Sequence, residues 1–354
     1  MVQTVLLTGT SGFIALHILK KLLEEGEVQV RGTVRSTSND KKTRPIKELV
    51  YNAKYPVELV EADLMSDSGW AEAVKGCDYV LHTASPFYLA HGDAGREKLV
   101  KPAVEGTLRV LRECAKPGSQ VKRVVLTSSI AAVAFGVEHE EGYMYSERDW
   151  TNPDSPKVDP YTESKTRAEK AAWDFVENNR DHRFELCTIN PGMVFGETLG
   201  ATGTSVDLVK DMVQGKMPML PHFNMPAVDV HDVAQAHIEA MRRPLATGKR
   251  FVLYANDIWL TEMAAVINKE FGAMGYSVAE RKMPHFLAYA MSFLSKDMDM
   301  IYKGWGVPHP CDNTHTREIL GIDFKSVDQS IVETIHCLIE KGLVEKKDTY
   351  IPRA

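Results

Sequence analysis

The chain has 354 residues, 44% of them hydrophobic, with a formal net charge of −6 and five cysteines. That size supports a large core in one or two domains, and mild acidity without a long basic run argues against nucleic acid or an anionic membrane surface as partner. The cysteines (Cys77, Cys114, Cys187, Cys311, Cys337) are scattered without Cys-x-x-Cys, which fits a reducing, cytoplasmic compartment with no metal site.

The first apolar stretch lacks a basic leader, so no signal peptide is expected. It holds Val5, Leu6 and Leu7, a buried strand ending at Gly9. From Ser11 a helical pattern runs through Phe13, Ile14, Leu16, Ile18 and Leu19. The spacing Gly9-x-x-Gly12-x-x-Ala15 suits a sharp turn, close approach to a pyrophosphate and tight helix–strand packing. The helix N-terminus would face the anion. An ordinary strand-to-helix turn is the competing reading.

An alternating strand over 28–34 follows, then a polar stretch with Lys41, Lys42 and Arg44. Strands are expected over 57–62, 79–82, 121–127 and 184–190, with helices over 70–75, 96–114 and 161–178 between them. The turn-rich stretch 136–160 reads as a loop. This alternation predicts an α/β fold, a doubly wound parallel Rossmann sheet with helices on both faces. Ligands in such sheets bind beyond the strands' carboxyl ends. Gly9, Arg35, Asp63, Thr83-Ala84-Ser85, Ser128-Ser129 and Pro191-Gly192 all fall there.

Beyond residue 190 the alternation weakens. A short strand (228–230), helices (232–242, 261–271, 327–342) and a strand near 251–254 suggest a smaller lobe. The expected division is a dinucleotide-binding domain over 1–190, rejoined by about 226–255, and a mainly substrate-binding lobe over 191–354. The apolar segment 286–294 is too short to span a bilayer and reads as a buried or half-buried helix. Phe286, Phe293, Tyr302 and Trp305 either line an apolar pocket or pack the lobe.

NAD-binding folds place an acid at the end of the second strand to hold the ribose hydroxyls. Here Arg35 stands there instead. A guanidinium matches a 2′-phosphate bidentately, with Lys41 or Lys42 adding charge, so NADP(H) is the expected cofactor. Asp63 either accepts from the adenine amino group or caps the next turn.

Tyr161-Thr-Glu-Ser-Lys165 puts a phenol and an ammonium on one helical face. A nearby ammonium lowers a phenol's pKa, and the pair can protonate a carbonyl oxygen as hydride reaches its carbon. A surface pair is the alternative reading, but Ser129 after the fifth strand would reach the same oxygen.

With Thr8-Gly-Thr-Ser-Gly-Phe-Ile-Ala15, Val34-Arg35-Ser36, His82-Thr-Ala-Ser-Pro-Phe87, Arg123-Val-Val-Leu-Thr-Ser-Ser129, Asn190-Pro191 and Val228-Asp-Val-His-Asp-Val-Ala234, the chain resembles the extended short-chain dehydrogenases/reductases. It is most similar to their dihydroflavonol reductase-like group and the fungal methylglyoxal/aldehyde reductases. The resemblance implies that Tyr161 donates the proton, Lys165 tunes it and binds the nicotinamide ribose, and Ser129 orients the carbonyl. It implies cofactor contacts from Gly9, Ser11, Gly12, Phe13, Ile14, Asp63, Leu64, Thr83, Ala84, Ser85, Thr127, Pro191, Gly192 and Val194. Ser205 is a looser match to a phosphate contact.

Phe87, Tyr88, Ile130 and Met193 suggest an apolar-to-aromatic carbonyl substrate, handled by a monomer or homodimer. Glu105 precedes Gly106-Thr107 where the family often has asparagine, which puts a proton relay at that position in doubt. A sugar-nucleotide epimerase or dehydratase, and a non-catalytic NADP-binding protein, are the alternatives. Arg35 and Ile130 speak against the first, and the retained tyrosine against the second.

Overall fold

The computed structural model describes residues 2–85, 92–179 and 184–353. The first half runs β1 (Thr4–Thr8), α1 (Phe13–Glu25), β2 (Gln29–Val34), α2 (Asp40–Leu49), β3 (Glu58–Glu61), α3 (Trp70–Val74), β4 (Tyr79–His82), α4 (Gly92–Ala115), β5 (Arg123–Thr127) and α5 (Pro160–Asn178). It continues with β6 (Glu185–Pro191), β7 (Met193–Phe195), α6 (Thr204–Val213), β8 (Asn224–Asp229), α7 (Val230–Arg242), β9 (Arg250–Leu253) and β10 (Asn256–Trp259). Helices α8 (Leu260–Phe271), α9 (His285–Ser292), α10 (Lys296–Lys303), α11 (Thr314–Leu320) and α12 (Val327–Glu340) complete the chain.

Seven strands form one parallel sheet in the order β3-β2-β1-β4-β5-β6-β9. The order reverses at β1, so a crevice opens between the carboxyl ends of β1 and β4. Both sheet faces are covered, which explains why the strands read as continuous apolar runs. Successive side chains go to opposite layers. Leu6, Val80, Val124 and Leu126 enter a core with α3, α4 and α5, whereas Val5, Leu7, Leu81 and Val125 enter a larger one with α1, α6, α7 and α12.

A separate sheet, β10-β8-β7, stands beside the carboxyl end of β6. β8 therefore runs over 224–229 rather than the expected 228–230 and lies in this small sheet, while β9 joins the central one. One element was not foreseen and one expectation is corrected. The polar stretch after β2 is a helix, α2. Asn39 caps it by accepting from Lys42 N, and Thr43 and Ile46 are its buried side chains. The apolar segment 286–294 is mostly exposed: Phe286 and Phe293 are 73% and Leu294 88% accessible, and only Ala288 of α9 is buried. Composition suggested burial, but the neighbouring elements leave that face uncovered.

Candidate active site

The β1–α1 turn is locked before any ligand arrives. Gly9 has φ +66, where a Cβ would also lie 3.0 Å from Ala84 Cα, so a side chain there is doubly disfavoured. Gly9 N donates to Thr33 Oγ1 (3.0 Å), Thr10 N to Thr33 O (3.0 Å) and Gly12 N to Gly9 O (2.8 Å). Thr33, which the sequence did not single out, thus ties the turn to the end of β2. α1 starts after Gly12 with no side-chain cap and no acid in its first turn. Its N–H groups and positive dipole end are left to an anion, as a pyrophosphate requires. Ser11 and Ile14 flank the turn half-buried, and Phe13 is buried against Gly203.

Arg35 is exposed at the end of β2. Beside it Glu61 accepts from Thr37 N (2.6 Å) and Thr37 Oγ1 (2.7 Å), which pins the β2–α2 loop and holds that carboxyl below its usual range. Asp63 Oδ1 accepts from Met65 N (2.9 Å), so the turn-capping reading describes one of its oxygens. Leu64 is buried against Gly106 of α4.

At the switch point Thr83 Oγ1 donates to Thr8 O (2.6 Å) and Ala84 N to Thr8 Oγ1 (3.0 Å). Thr127 Oγ1 meets His237 Nε2 at 2.6 Å. Phe87 and Tyr88 lie outside the described residues.

α5 begins sharply. Asp159 Oδ1 accepts from Tyr161 N (2.8 Å) and Thr162 N (3.2 Å), and Pro160 takes the first position. Tyr161 therefore sits in the first turn, at the positive end of a 19-residue helix. Its hydroxyl is hydrogen-bonded to the Ser129 side chain. Ser129 follows β5 in extended conformation and also accepts from Ala131 N (3.1 Å). One turn along α5, Lys165 Nζ donates to Ser85 Oγ (3.2 Å) and lies 5.9 Å from the Tyr161 ring centroid. The three side chains are brought together.

Their electrostatics differ from the sequence expectation. Burial raises the Tyr161 pKa, opposed by the Ser129 hydrogen bond, rather than the ammonium lowering it. Burial also lowers Lys165 to about 8, opposed by the negative charge of Glu169. Loss of hydration is the largest cause at both groups. A protonated phenol is the form a proton donor needs.

Behind Lys165 lies a cavity of about 20 Å³, room for one water, lined by Ser85, Thr107, Ser128, Lys165 and Glu169 among others. Glu105 is not part of it: it pairs with Arg112 at 3.1 Å on the outer side of α4. Thr107, two residues on, faces the cavity instead.

After β6, Gly192 passes directly under the Pro226 carbonyl, where a Cβ would collide. Val194 N donates to Ser205 Oγ (3.1 Å). Ser205 thus ties the start of α6 to β7, and its O–H is left to donate elsewhere. Met193 is half-buried, and Ile130 packs into a core cluster with Val133, Tyr145 and Tyr254.

The family profile described as NAD dependent epimerase/dehydratase matches residues 5–253. The chain belongs to this family. Tetraketide alpha-pyrone reductase 2 of Arabidopsis thaliana is 36% identical over 342 residues, 96% of this chain and 99% of that protein. Cinnamoyl-CoA reductase of Medicago truncatula is 33% identical over 343 residues, 96% of each. Among solved structures, yeast methylglyoxal/isovaleraldehyde reductase Gre2, complexed with NADPH, superposes with a TM-score of 0.79 at 29% identity, covering 97% of this chain and all of that one. The resemblance to the dihydroflavonol reductase-like extended reductases and the Rossmann architecture are both borne out. Among the described residues no helix is long and apolar enough to cross a membrane.

Proposed function

We propose that this epimerase/dehydratase-family chain is an NADPH-dependent reductase of aldehydes or ketones. The observation that carries the reading is the buried Ser129 with the half-buried Tyr161 and Lys165, beside an uncapped glycine turn. NADPH, when bound, supplies the hydride. The α1 N-terminus would hold its pyrophosphate, Arg35 its 2′-phosphate, Asp63 its adenine, and the Pro191-Gly192 backbone its carboxamide.

Ser129 Oγ and Tyr161 Oη hydrogen-bond the substrate carbonyl oxygen and polarise it. As negative charge grows on that oxygen, Tyr161 gives up its proton to it. The Lys165 ammonium and the α5 N-terminus then stabilise the phenolate. Residues 191–354 mainly form the substrate lobe. An apolar or aromatic substrate suits the half-buried Met193. The five cysteines are free and buried, which supports a cytoplasmic setting. The test is NADPH consumption by the purified chain over aldehydes, diketones, dihydroflavonols and aryl ketones. Turnover with at least one class is expected, and none with any would overturn the reading.

A further inference from the structure

Outside the residues that face a substrate, one buried carboxylate gathers the site together. Glu169 follows Lys165 by one turn of α5 and is buried, as is its partner Arg250 on β9. Its Oε1 accepts from Arg250 Nε (2.7 Å), Thr188 Oγ1 (3.0 Å) and Trp173 Nε1 (3.3 Å). Its Oε2 accepts from Ser128 Oγ (2.5 Å) and Asn190 Nδ2 (2.7 Å). Asn190 Nδ2 also donates to Ser129 O (3.1 Å). The carboxylate thus fixes the backbone on both sides of the Ser129 side chain and joins it to the helix carrying Tyr161 and Lys165.

Arg250 carries the tie outward. Its NH1 donates to Glu147 O (2.9 Å) and Asp149 O (2.5 Å), its NH2 to Ala132 O (3.2 Å), and its guanidinium lies 3.7 Å from the Trp150 ring. Every donor reaching Glu169 demands an acceptor, and only a carboxylate accepts at both atoms. A glutamine would turn an NH₂ against one set of them.

We infer that Glu169 is a positioning residue of the reductase site: acting through Lys165, Ser128 and Asn190, it keeps the ammonium charged and the carbonyl-orienting serine in place. The inference rests on the reductase reading for its consequence in turnover, but its electrostatic half does not. Lys165 and Glu169 line the same small cavity. Among the described residues, the other titratable or charged groups facing them are Arg250 from β9, His82 from β4 and Tyr161 from α5. His82 is held neutral, its pKa lowered to about 3 by burial, and the Tyr161 phenol is uncharged. The α4, β5 and β6 residues there, Thr107, Thr127, Ser128, Thr188 and Asn190, carry no charge. Among the described residues Glu169 is therefore the negative charge set against the desolvation of Lys165.

The test compares Glu169→Gln and Arg250→Lys with the parent. Lys165 is titrated by the pH dependence of its acylation, read by mass spectrometry, which needs no turnover. The expected result for Glu169→Gln is a Lys165 midpoint lower by about one pH unit, and kcat lower by about ten-fold with KM for NADPH within about two-fold. Arg250→Lys, which keeps the charge, is expected to leave the midpoint in place. A midpoint that does not move in folded Glu169→Gln overturns the proposal, and so does an equal shift in both variants. If Glu169→Gln does not fold, Arg250→Gln is titrated instead: uncountered, Glu169 should raise the midpoint, and an unmoved or lower one overturns the proposal. A shifted midpoint in a protein that reduces no carbonyl would reject the reductase reading and keep the positioning role.

Discussion

At Tyr161 burial raises the phenol's pKa, against the Ser129 hydrogen bond that favours phenolate. Tyr161→Phe removes the proton donor without disturbing the cofactor cradle. Turnover should fall by about three orders of magnitude, while NADPH affinity by fluorescence titration stays within about two-fold. Retained turnover would show that another group supplies the proton. Arg35 poses the matching question for the cofactor. It is exposed at the end of β2, and a charge-assisted bidentate pair to a 2′-phosphate is worth about 1.5–3 kcal/mol. Arg35→Asp should weaken NADPH by about ten- to hundred-fold and leave NADH nearly unchanged; equal losses would remove Arg35 from the phosphate site. These residues were legible in sequence because each follows a strand or shares one helical face. Glu169 was not. Its partners Ser128, Thr188, Asn190 and Arg250 come from the residue after β5, from β6 and from the start of β9, and only its offset from Lys165 hinted at a shared face.

Among the elements, α7 shows how the sheet and a covering helix are joined. Arg123, the first residue of β5, is buried and donates to the carbonyls of Ala240 (2.8 Å), Met241 (3.1 Å) and Arg243 (2.7 Å) at the end of α7. It also pairs with Glu185 at 2.6 Å. This positive charge satisfies orphan carbonyls and meets the negative end of the helix dipole. Arg123→Met should lower unfolding free energy in urea by about 2–3 kcal/mol and leave cofactor binding unchanged; an unaltered midpoint would mean water serves α7 equally well. Most elements were readable from apolar periodicity. α2 was not, because its apolar content is low and its cap and two buried side chains hold it in place. α9 was read as covered because the apolar run cannot say which neighbours will pack on it.

For the molecule as a whole, buried neutral histidines set the acid limit. Burial lowers His17, His237 and His309 to about 4 and His82 to about 3. All four should titrate near 6.5 when unfolded. As pH falls from about 6.5 towards 4, the unfolded chain gains protons that the folded one refuses, so stability is lost, with a slope of up to about 1.4 kcal/mol per pH unit for each ring. Asp232, raised to about 6 by burial, runs the other way between its unfolded and folded pKa values and offsets about one of the four. Urea unfolding between pH 7 and 5 should show a net decline carrying two to three protons, about one per uncompensated ring. A flat profile would mean that these rings take up protons in the folded state.

Sequence by itself determined the strand–helix alternation, the glycine turn, the arginine after the second strand and the Ser129–Tyr161–Lys165 set. Each depends on local spacing or on a position just beyond a strand, and local periodicity carries that information. Only the tertiary structure decided that Glu105 points away while Thr107 faces the cavity, that Ser205 accepts from Val194 N, and that α9 is mostly exposed. It also decided the sign of the shift at Tyr161, and that one carboxylate, balanced by Arg250, holds the serine loop to the catalytic helix. Those outcomes depend on which distant side chains share a low-dielectric space, and that is settled when the chain closes on itself.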